Sequence, residues 1–432
     1  MFGLATYGLM ILALVVGIWR NPGVTLVAVL CLFAIDQWGL VSSPFLWENS
    51  AISNILLGSI VLIGFIKSFL SGRIVRFYFR KNKIYVVSVI FLLYAALSIL
   101  WSPVQALAAE KWLDQAPYFI VMVVLMPMTL NNPYLVEKSL LFFQAFGTVL
   151  VVLFLFFVEW RGRGIVVEGA GDGLALPLAI AQLAAMTFFA SLFYRHNKFN
   201  FVMVFRIASM CMAVFLILLT GSRGPLFSLV FCGAIFFPYY LQSKNIKNIV
   251  SGMVVFAIVG TALYVGFNQF SSMDTRWSQE ELSEDMFGRF HNTAIVLSAW
   301  ADGNILIWFF GLGSSASFDP DIYGFYPHNV PMEILAEEGL IGFGLFLYLL
   351  VLTLQYVRKH IKLSKTDSDG HYAVAVFSAG ALFLFIHSLK SGALVGSSYL
   401  FMIFVVLERF YHLRLDRDRY VSARRSNNQP ID

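Results

Sequence analysis

The chain has 432 residues, of which 59% are hydrophobic and only 13% are charged, and its formal net charge is +5. Soluble domains carry about 25% charged residues, so this composition excludes a soluble globular enzyme, a disordered chain and a disulfide scaffold. The three cysteines lie inside apolar runs, which leaves neither a thiolate zinc site nor a disulfide framework. The sequence therefore predicts an all-α polytopic membrane protein, surrounded by lipids and with no nucleic-acid partner.

Apolar runs of the length that a bilayer requires, roughly 17–25 residues, recur along the whole chain. The run over 117–131 is short and the first two runs are separated only by residues 20–23, so we expect about 12 or 13 transmembrane helices. Met1 is followed by neither a basic region nor a small-residue cleavage site, so no signal peptide is predicted. The runs are 2–19, 23–40, 52–70, 84–101, 117–131, 139–158, 174–193, 201–219, 225–241, 249–267, 335–357, 372–389 and 393–408.

The loops between these runs differ in charge on the two sides of the membrane. Basic residues are concentrated at 73–83, at 358–365 and in the tail from Arg409, all on the side opposite a long hydrophilic loop at about 268–333. The positive-inside rule makes the basic segments cytoplasmic and the long loop external. We therefore divide the chain into transmembrane helices over 1–267, an external loop domain over 268–334, C-terminal transmembrane helices over 335–408 and a basic cytoplasmic tail over 409–432.

Several arginines lie on the external side, whose loops are otherwise acidic. Arg223 lies in the sequence TGSRGP, where Pro225 fits the first turn of the next helix and the helix start offers N–H groups to an anion. The guanidinium group of an arginine matches two phosphate oxygens, so this segment is a candidate anion site. The alternative is a tight turn in which the glycines serve the backbone geometry alone. Arg161 and Arg163, after the sixth run, are further candidates for anion binding, and ion pairing with nearby acids is their alternative role.

The external loop contains a predicted amphipathic helix over 284–301, which should end near Gly303. Its apolar residues recur at helical spacing and predict a face that packs over the membrane domain, with Arg289 on a neighbouring stripe. The short apolar segment at 305–310 is expected to pack in the core, and residues 311–315 are expected to be flexible. The apolar residues of the predicted face are Met286, Phe290, Ala294, Leu297 and Ala301.

A histidine lies late in the external loop, in the sequence YPHNVPME. Asn329 is predicted to cap the next helix, which places His328 just ahead of a helix N-terminus. Near neutral pH a histidine can take a proton from a hydroxyl, as a general base must, although a structural role is the alternative. Glu333 and Glu337 are spaced i,i+4, and such like charges repel unless a cation, a proton or a hydroxyl lies between them. His291 is a weaker candidate, because it lies on the polar side of the amphipathic helix.

Metal and transport chemistry have less support in the sequence. Asp319 and Asp321 form an Asp-x-Asp pair of the kind that can hold a divalent cation, but aspartates beside proline also form turns. The sequence has no P-loop, Rossmann or zincin motif, so we predict no metal and no cofactor. Asp36 and Arg206 fall near the ends of their runs, where they can reach the interface, and this disfavours an ion-coupled transporter.

Three short sequences together resemble a known superfamily. TGSRGP at 220–225, GLG at 311–313 and HNVPMEILAEEGLIG at 328–342 occur in this order around one long external loop. Over about residues 200–350 this combination resembles the O-antigen ligase and O-antigen polymerase superfamily. The resemblance implies a GT-C-like multi-pass protein of the Gram-negative inner membrane, whose long periplasmic loop carries amphipathic helices and whose active site faces the periplasm.

The resemblance also implies an activity, that of an inverting, metal-independent glycosyltransferase whose donor is a glycan on undecaprenyl pyrophosphate. We expect an O-antigen ligase, which passes the polymer to lipid A–core oligosaccharide and so completes lipopolysaccharide. An O-antigen polymerase, which uses a second lipid-linked repeat as acceptor, and a protein O-oligosaccharyltransferase are the alternatives within the superfamily. A flippase or small-solute transporter is the alternative from another class, and would be favoured if charge at mid-membrane mattered and His328 did not.

The resemblance assigns roles to residues at matching positions. His328 is expected to act as general base, oriented by Glu333 or Glu337, while Arg223 and Arg289 stabilise the leaving pyrophosphate. The predicted substrate-binding residues are Arg161, Arg163, Asn329, Glu333 and Glu337.

Overall fold

The computed structural model describes residues 2–71, 82–161, 164–167, 174–175, 178–194, 201–241, 260–261, 279–363 and 370–426. Of these described residues 85% are helical, and within these ranges nine helices are long and apolar enough to cross a membrane. The predicted all-α polytopic fold is therefore confirmed, and the chain is a multi-pass membrane protein. The basic segments at 72–81 and 195–198 and most of the predicted run at 249–267 lie outside the described residues.

The helices follow the predicted apolar runs, because a backbone in lipid must satisfy its polar groups within a helix. Some begin at asparagine caps; Asn132 Oδ1, for example, accepts a hydrogen bond from Tyr134 N at 2.9 Å. The first helices are α1 (Phe2–Arg20), α2 (Thr25–Ser42), α3 (Pro44–Glu48), α4 (Ser50–Leu70), α5 (Lys83–Leu97), α6 (Gln105–Phe119), α7 (Met126–Thr129) and α8 (Pro133–Phe156). The others are α9 (Leu178–Phe193), α10 (Phe201–Leu219), α11 (Arg223–Leu241), α12 (Gln279–Ala301), α13 (Ile305–Phe310), α14 (Val330–Leu363), α15 (His371–Ser388) and α16 (Ser398–Ser426).

The short run predicted at 117–131 belongs to a longer span. Helical residues extend from Gln105 to Thr129, with a π-helical segment at Ile120–Leu125 between α6 and α7. Pro117 lies inside α6 and removes one backbone donor, which loosens the helix just before this segment. The nine spans, the two shorter apolar helices α9 and α11 and the start of α16 account for every predicted run except 249–267.

A small antiparallel sheet follows α8. Its strands lie in the order β1-β2-β3, and Trp160 of the first strand is opposite Ile165 of the second. Ile165 is fully buried, and Trp160 Nε1 donates to Phe154 O at 2.9 Å, so the sheet is fixed to the end of α8. The strands are β1 (Trp160–Arg161), β2 (Gly164–Val166) and β3 (Leu174–Ala175).

The predicted amphipathic helix is present as α12, but much of the apolar face that was predicted to pack over the membrane domain is exposed. Phe290 is 67% exposed and Ala294 is also exposed, whereas Thr293 and Val296 are buried. The helix packs against α14. In a bilayer an apolar side chain gains little by turning inward, because lipid is as apolar as the protein interior. The polar hydroxyl of Thr293, by contrast, finds partners only on the protein side.

The core packing predicted for residues 305–310 is also wrong. This segment forms α13, none of whose residues is buried, and Ile305 is 64% exposed. The Asn304 side chain caps it by accepting from Leu306 N at 2.9 Å. An exposed apolar helix beside membrane-spanning helices suits the lipid interface better than a protein core.

Residues 311–317, part of which was predicted to be flexible, are mostly buried and hydrogen-bonded. Leu312 N and Gly313 N donate to Ala336 O and Glu337 O, each at 2.9 Å. These carbonyls lie next to a break in α14 at Gly339, whose φ of 65° and ψ of −168° suit glycine alone. The break in the helix therefore supplies the acceptors that hold the glycine-rich loop.

We expect Gly339→Ala to destabilise the protein by about 2 kcal/mol or more, because strained backbone positions cost about 1–3 kcal/mol before any clash is counted. A Cβ at this position would lie 2.5 Å from Phe309 O. Gly344→Ala in the same helix is the matched control, since nothing lies within 4 Å of its Cβ. Thermal unfolding in detergent should show a lower midpoint for Gly339→Ala alone. Equal midpoints for the two variants would contradict this account of the kink.

Helix α16 continues through the boundary predicted between the last span and the basic tail. Arg409 donates through Nε and Nη2 to Leu130 O, at 3.0 and 2.8 Å. Arg414 is fully buried, and a Cβ on Gly370 would lie 2.8 Å from its Nε. The first basic residues of the predicted tail are therefore part of the packed bundle.

Candidate active site

His328 has an unusual backbone conformation between two ordered elements. Its φ is 61°, in the left-handed region that residues other than glycine seldom adopt. Asn329 Oδ1 accepts from Met332 N at 3.2 Å, so Asn329 caps α14 as the sequence predicts. The partly buried imidazole lies 4.3 Å from the Tyr326 ring and 5.7 Å from the Phe325 ring, measured between centroids. Strain of this kind is characteristic of functional positions.

Thr293 joins the histidine segment to α12. Its buried hydroxyl lies 2.8 Å from Arg289 O and 3.2 Å from Pro327 O. The residue just before His328 is thus held against the helical turn that carries Arg289. One buried hydroxyl therefore brings together two residues that the sequence predicts to be catalytic.

Arg289 extends from α12 to the loop between α15 and α16. Its Nη1 donates to the backbone carbonyl of Lys390. Its charge also acts on the Tyr326 phenol and on His387. The guanidinium is therefore positioned between the histidine segment and this second loop.

Arg223 begins α11, and the start of this helix lies beside the same loop. A Cβ on Gly224 would be 3.6 Å from Lys390 Cδ. The backbone next to Arg223 thus lies beside the Lys390 side chain, while Arg289 binds the Lys390 carbonyl. We call Arg223, Arg289 and Lys390 the cationic cluster. Like charges repel, so a cluster of this kind favours an anionic ligand. The positive end of the α11 dipole adds to the effect.

Glu333 and Glu337 are both fully buried and bind backbone amides. Glu333 Oε2 accepts from Leu394 N at 3.1 Å. Glu337 accepts from Ser315 N and Ser317 N, at 2.7 and 3.0 Å. Backbone N–H groups of two loops thus donate to this i,i+4 pair, and the charge of Lys111 also acts on both side chains. In this structure the two glutamates fix the loops around the site.

Tyr326 lies close enough to Arg289 and Glu333 to interact with both charges. Burial raises the pKa of its phenol, Arg289 opposes this shift and Glu333 adds to it. A raised pKa keeps the phenol protonated at neutral pH, so Tyr326 can donate a hydrogen bond beside His328.

Arg161 forms an exposed ion pair. It lies on β1, where Nη2 is 3.8 Å from Glu159 Oε1 and both side chains are more than half exposed. This contact is the ion pair with a nearby acid that was the alternative role of Arg161. Exposed ion pairs contribute at most about 1 kcal/mol to the free energy of unfolding. Arg163 lies outside the described residues. Substrate binding by either arginine remains a prediction.

The Asp319–Asp321 pair forms a turn. Asp319 Oδ1 accepts from Asp321 N at 3.0 Å, and Asp319 O accepts from the amides of Ile322, Tyr323 and Gly324. In the part of the chain that the structure describes, no group of three or more His, Cys, Asp or Glu residues is placed to hold a metal ion. The pair therefore adopts the turn that the sequence offers as the alternative to a metal site.

Sequence reasoning missed three residues of the site: Lys390, His387 and Tyr326. Lys390 lies with Ser391 and Gly392 in the short loop between the last two predicted runs, on the side that the charge distribution predicts to be external. A basic residue in an otherwise acidic set of loops was the available signal for it. His387 lies at the end of an apolar run, and Tyr326 lies in an aromatic segment, so neither carries a signal of its own.

These residues suit a particular kind of group transfer. An imidazole takes a proton from an attacking hydroxyl, and fixed cations stabilise negative charge that develops on a leaving group. Both components are present here, on elements that Thr293 and the Lys390 carbonyl connect.

Comparison with known proteins points to the same region of the chain. Residues 207–347 match the sequence model of the family described as O-antigen ligase. This segment begins in α10 and ends in α14, and it contains Arg223, Arg289 and His328. A search of curated proteins gives no match.

Proposed function

Because the match over residues 207–347 places the chain in the O-antigen ligase superfamily, we propose that it is an O-antigen ligase of the bacterial inner membrane. The donor is a glycan polymer on undecaprenyl pyrophosphate, and the acceptor is lipid A–core oligosaccharide. Transfer takes place on the periplasmic face. The observation that carries this proposal is the cationic cluster beside the strained His328.

The proposed reaction follows from the chemistry of these side chains. His328 takes the proton of an acceptor sugar hydroxyl, whose oxygen attacks the anomeric carbon of the donor. The bond between that carbon and the pyrophosphate oxygen breaks, and the electron pair remains on the pyrophosphate. Arg223 and Arg289 stabilise this charge in an environment partly shielded from water. Attack from the side opposite the leaving group inverts the anomeric carbon.

The environment of each residue supports its role. The αL backbone at His328 and the capping by Asn329 fix the imidazole ahead of α14. Tyr326 supplies a protonated hydroxyl next to it, which can orient a sugar hydroxyl or a phosphate oxygen. Glu333 fixes Leu394, in the same loop as Lys390, and so keeps the cationic cluster in place.

A transfer assay with purified protein tests the proposal and separates it from the polymerase. The donor is glycan on undecaprenyl pyrophosphate, and three acceptors are offered separately: lipid A–core, a second lipid-linked repeat and a protein substrate. We expect product only with lipid A–core. Extension of the lipid-linked repeat would make the chain a polymerase, and modification of the protein would make it an oligosaccharyltransferase.

The predicted sidedness has its own test. We expect Asp302→Cys, in the external loop, to react with a membrane-impermeant thiol reagent in intact spheroplasts, in a background without the three native cysteines. Arg358→Cys should react only after the membrane is opened, because the basic end of α14 should be cytoplasmic. Both positions are exposed at the protein surface. Labelling of both from the same side would contradict the topology.

A further inference from the structure

A cavity of about 260 Å³ lies between α2, α9 and α15, beneath the loop that follows α15. Phe33 and Gln37 of α2 form one wall, and Gln182 of α9 forms another. His387 closes the cavity on the α15 side. The volume is close to the lower end of the range for small-ligand sites, roughly 300–1,000 Å³, so it suits one small unit of a larger molecule.

The aromatic wall of the cavity is rigid. The rings of Phe33 and Tyr399 meet edge to face, with centroids 5.1 Å apart. The Tyr399 hydroxyl donates to Val29 O at 2.9 Å, which ties α16 to α2. An apolar ring face of this kind can pack against the C–H face of a sugar.

Several polar groups of the cavity can accept hydrogen bonds from a ligand. Ser388 and Ser397 donate their hydroxyl protons to Phe385 O and Ala393 O, at 2.7 and 2.9 Å. Each hydroxyl oxygen therefore has only lone pairs to offer to a ligand. Among the described residues, Gln37 Oε1 is a buried acceptor with no hydrogen-bond partner, and a buried unsatisfied group of this kind points to a missing donor.

The charge of the cavity limits the class of ligand. Its lining, in the described part of the chain, includes no Asp, Glu, Lys or Arg. Ser391 Oγ lies 2.9 Å from His387 Nε2, so the imidazole is paired within the protein. A neutral molecule rich in hydroxyl donors fits this environment, whereas a phosphate or a carboxylate does not.

The cavity adjoins the cationic cluster along the chain. Ser388 and Ser391 line the cavity, and Lys390, whose carbonyl accepts from Arg289, lies between them. A neutral site rich in acceptors therefore borders a site for an anion. One molecule with a hydroxyl-rich part joined to a phosphate-bearing part would occupy both.

We propose that the cavity lined by Gln37, Gln182 and Ser391 binds the sugar of the donor that is attached directly to pyrophosphate. This inference rests on the proposed function for the identity of the donor, and on the cavity itself for the chemistry of the ligand. Binding the first sugar here would hold its anomeric carbon between the cavity and the cationic cluster.

The test measures binding rather than transfer, with the full-length protein in lipid nanodiscs. The two probes are undecaprenyl pyrophosphate alone and the same lipid carrying its glycan. The variant Gln37→Leu/Gln182→Leu removes both amides while keeping most of the side-chain volume. We expect its affinity for the glycan-bearing lipid to fall about ten-fold or more, as the loss of two hydrogen bonds implies, with the affinity for the bare lipid unchanged.

Two controls make the result specific. Gln105→Leu changes a glutamine at the start of α6, outside the cavity, and should bind both probes like the wild type. Arg289→Ala should lower the affinity for both probes, because Arg289 is proposed to bind the pyrophosphate that both probes carry. Thermal unfolding of each variant verifies that it is folded.

Several outcomes would overturn the inference. If the double variant lost the same affinity for both probes, the cavity would bind the lipid or the phosphate and not the sugar. Unchanged donor binding with weakened binding of lipid A–core would assign it to the acceptor. If the wild type transferred glycan to no acceptor, the proposed function would fail. The sugar site would still be supported if the double variant lost affinity only for the glycan-bearing lipid.

Discussion

Replacement of His328 with asparagine should abolish glycan transfer in a protein that is expressed and folded normally. Asparagine tolerates the positive φ of this position better than alanine does, but its amide cannot take a proton. Loss of a general base slows a reaction by about 10²- to 10⁴-fold. The measurement is the initial rate of transfer from the lipid-linked donor to lipid A–core, with donor consumption followed in parallel.

A nearby histidine provides the matched control. His291 lies on α12 and is exposed, so His291→Asn should transfer glycan at the wild-type rate. Full activity in His328→Asn would show that the base lies elsewhere.

The same assay tests the role of metal. A chelator should leave the rate unchanged, because arginines and not a divalent cation would stabilise the pyrophosphate. Loss of activity with chelator, restored by Mg²⁺ or Mn²⁺, would move the chemistry to residues such as Asp319 and Asp321.

Charge reversal in the cationic cluster should have the second large effect. We expect Arg289→Glu and Arg223→Glu each to lower the rate of transfer at least about 100-fold, close to the ~3 kcal/mol that one well-placed donor to a developing anion contributes. Arg289→Lys should recover only part of the rate, because a lysine keeps the charge but loses the fork that matches phosphate oxygens.

Arg358→Glu is the control for charge reversal, since Arg358 is exposed near the other end of α14. It should retain transfer. Arg289 also donates to Lys390 O, so thermal unfolding of each variant must accompany the rates. Normal transfer by folded Arg289→Glu and Arg223→Glu would refute the anion site.

Local features of the site were predictable from the sequence because they depend on neighbours along the chain. Asn329 caps α14 because an asparagine side chain reaches the N–H groups one turn ahead, whatever the rest of the fold does. The approximate extent of α12 follows from apolar periodicity in the same way. The spacing of Glu333 and Glu337 predicted that the pair needed a partner, and backbone amides of two loops donate to the two side chains.

The errors arose where packing decided the outcome. The stripe containing Phe290 was expected to be buried, but in a membrane protein an apolar face can turn to lipid as readily as to protein. Residues 311–315 were expected to be flexible because they are rich in glycine and serine. Their donors are instead bound by carbonyls near the Gly339 break and by Glu337, which no local pattern reveals.

The sequence by itself determined that this chain crosses a membrane many times, where most of its helices lie and which short motifs surround its long hydrophilic loop. Apolar run length and capping chemistry are local, so they can be read without a fold. Only the tertiary structure showed that Arg289 binds the carbonyl of Lys390, that α11 begins beside the same residue and that Thr293 holds the segment before His328. These contacts join residues far apart in the chain, and their partners are fixed by how the helices pack.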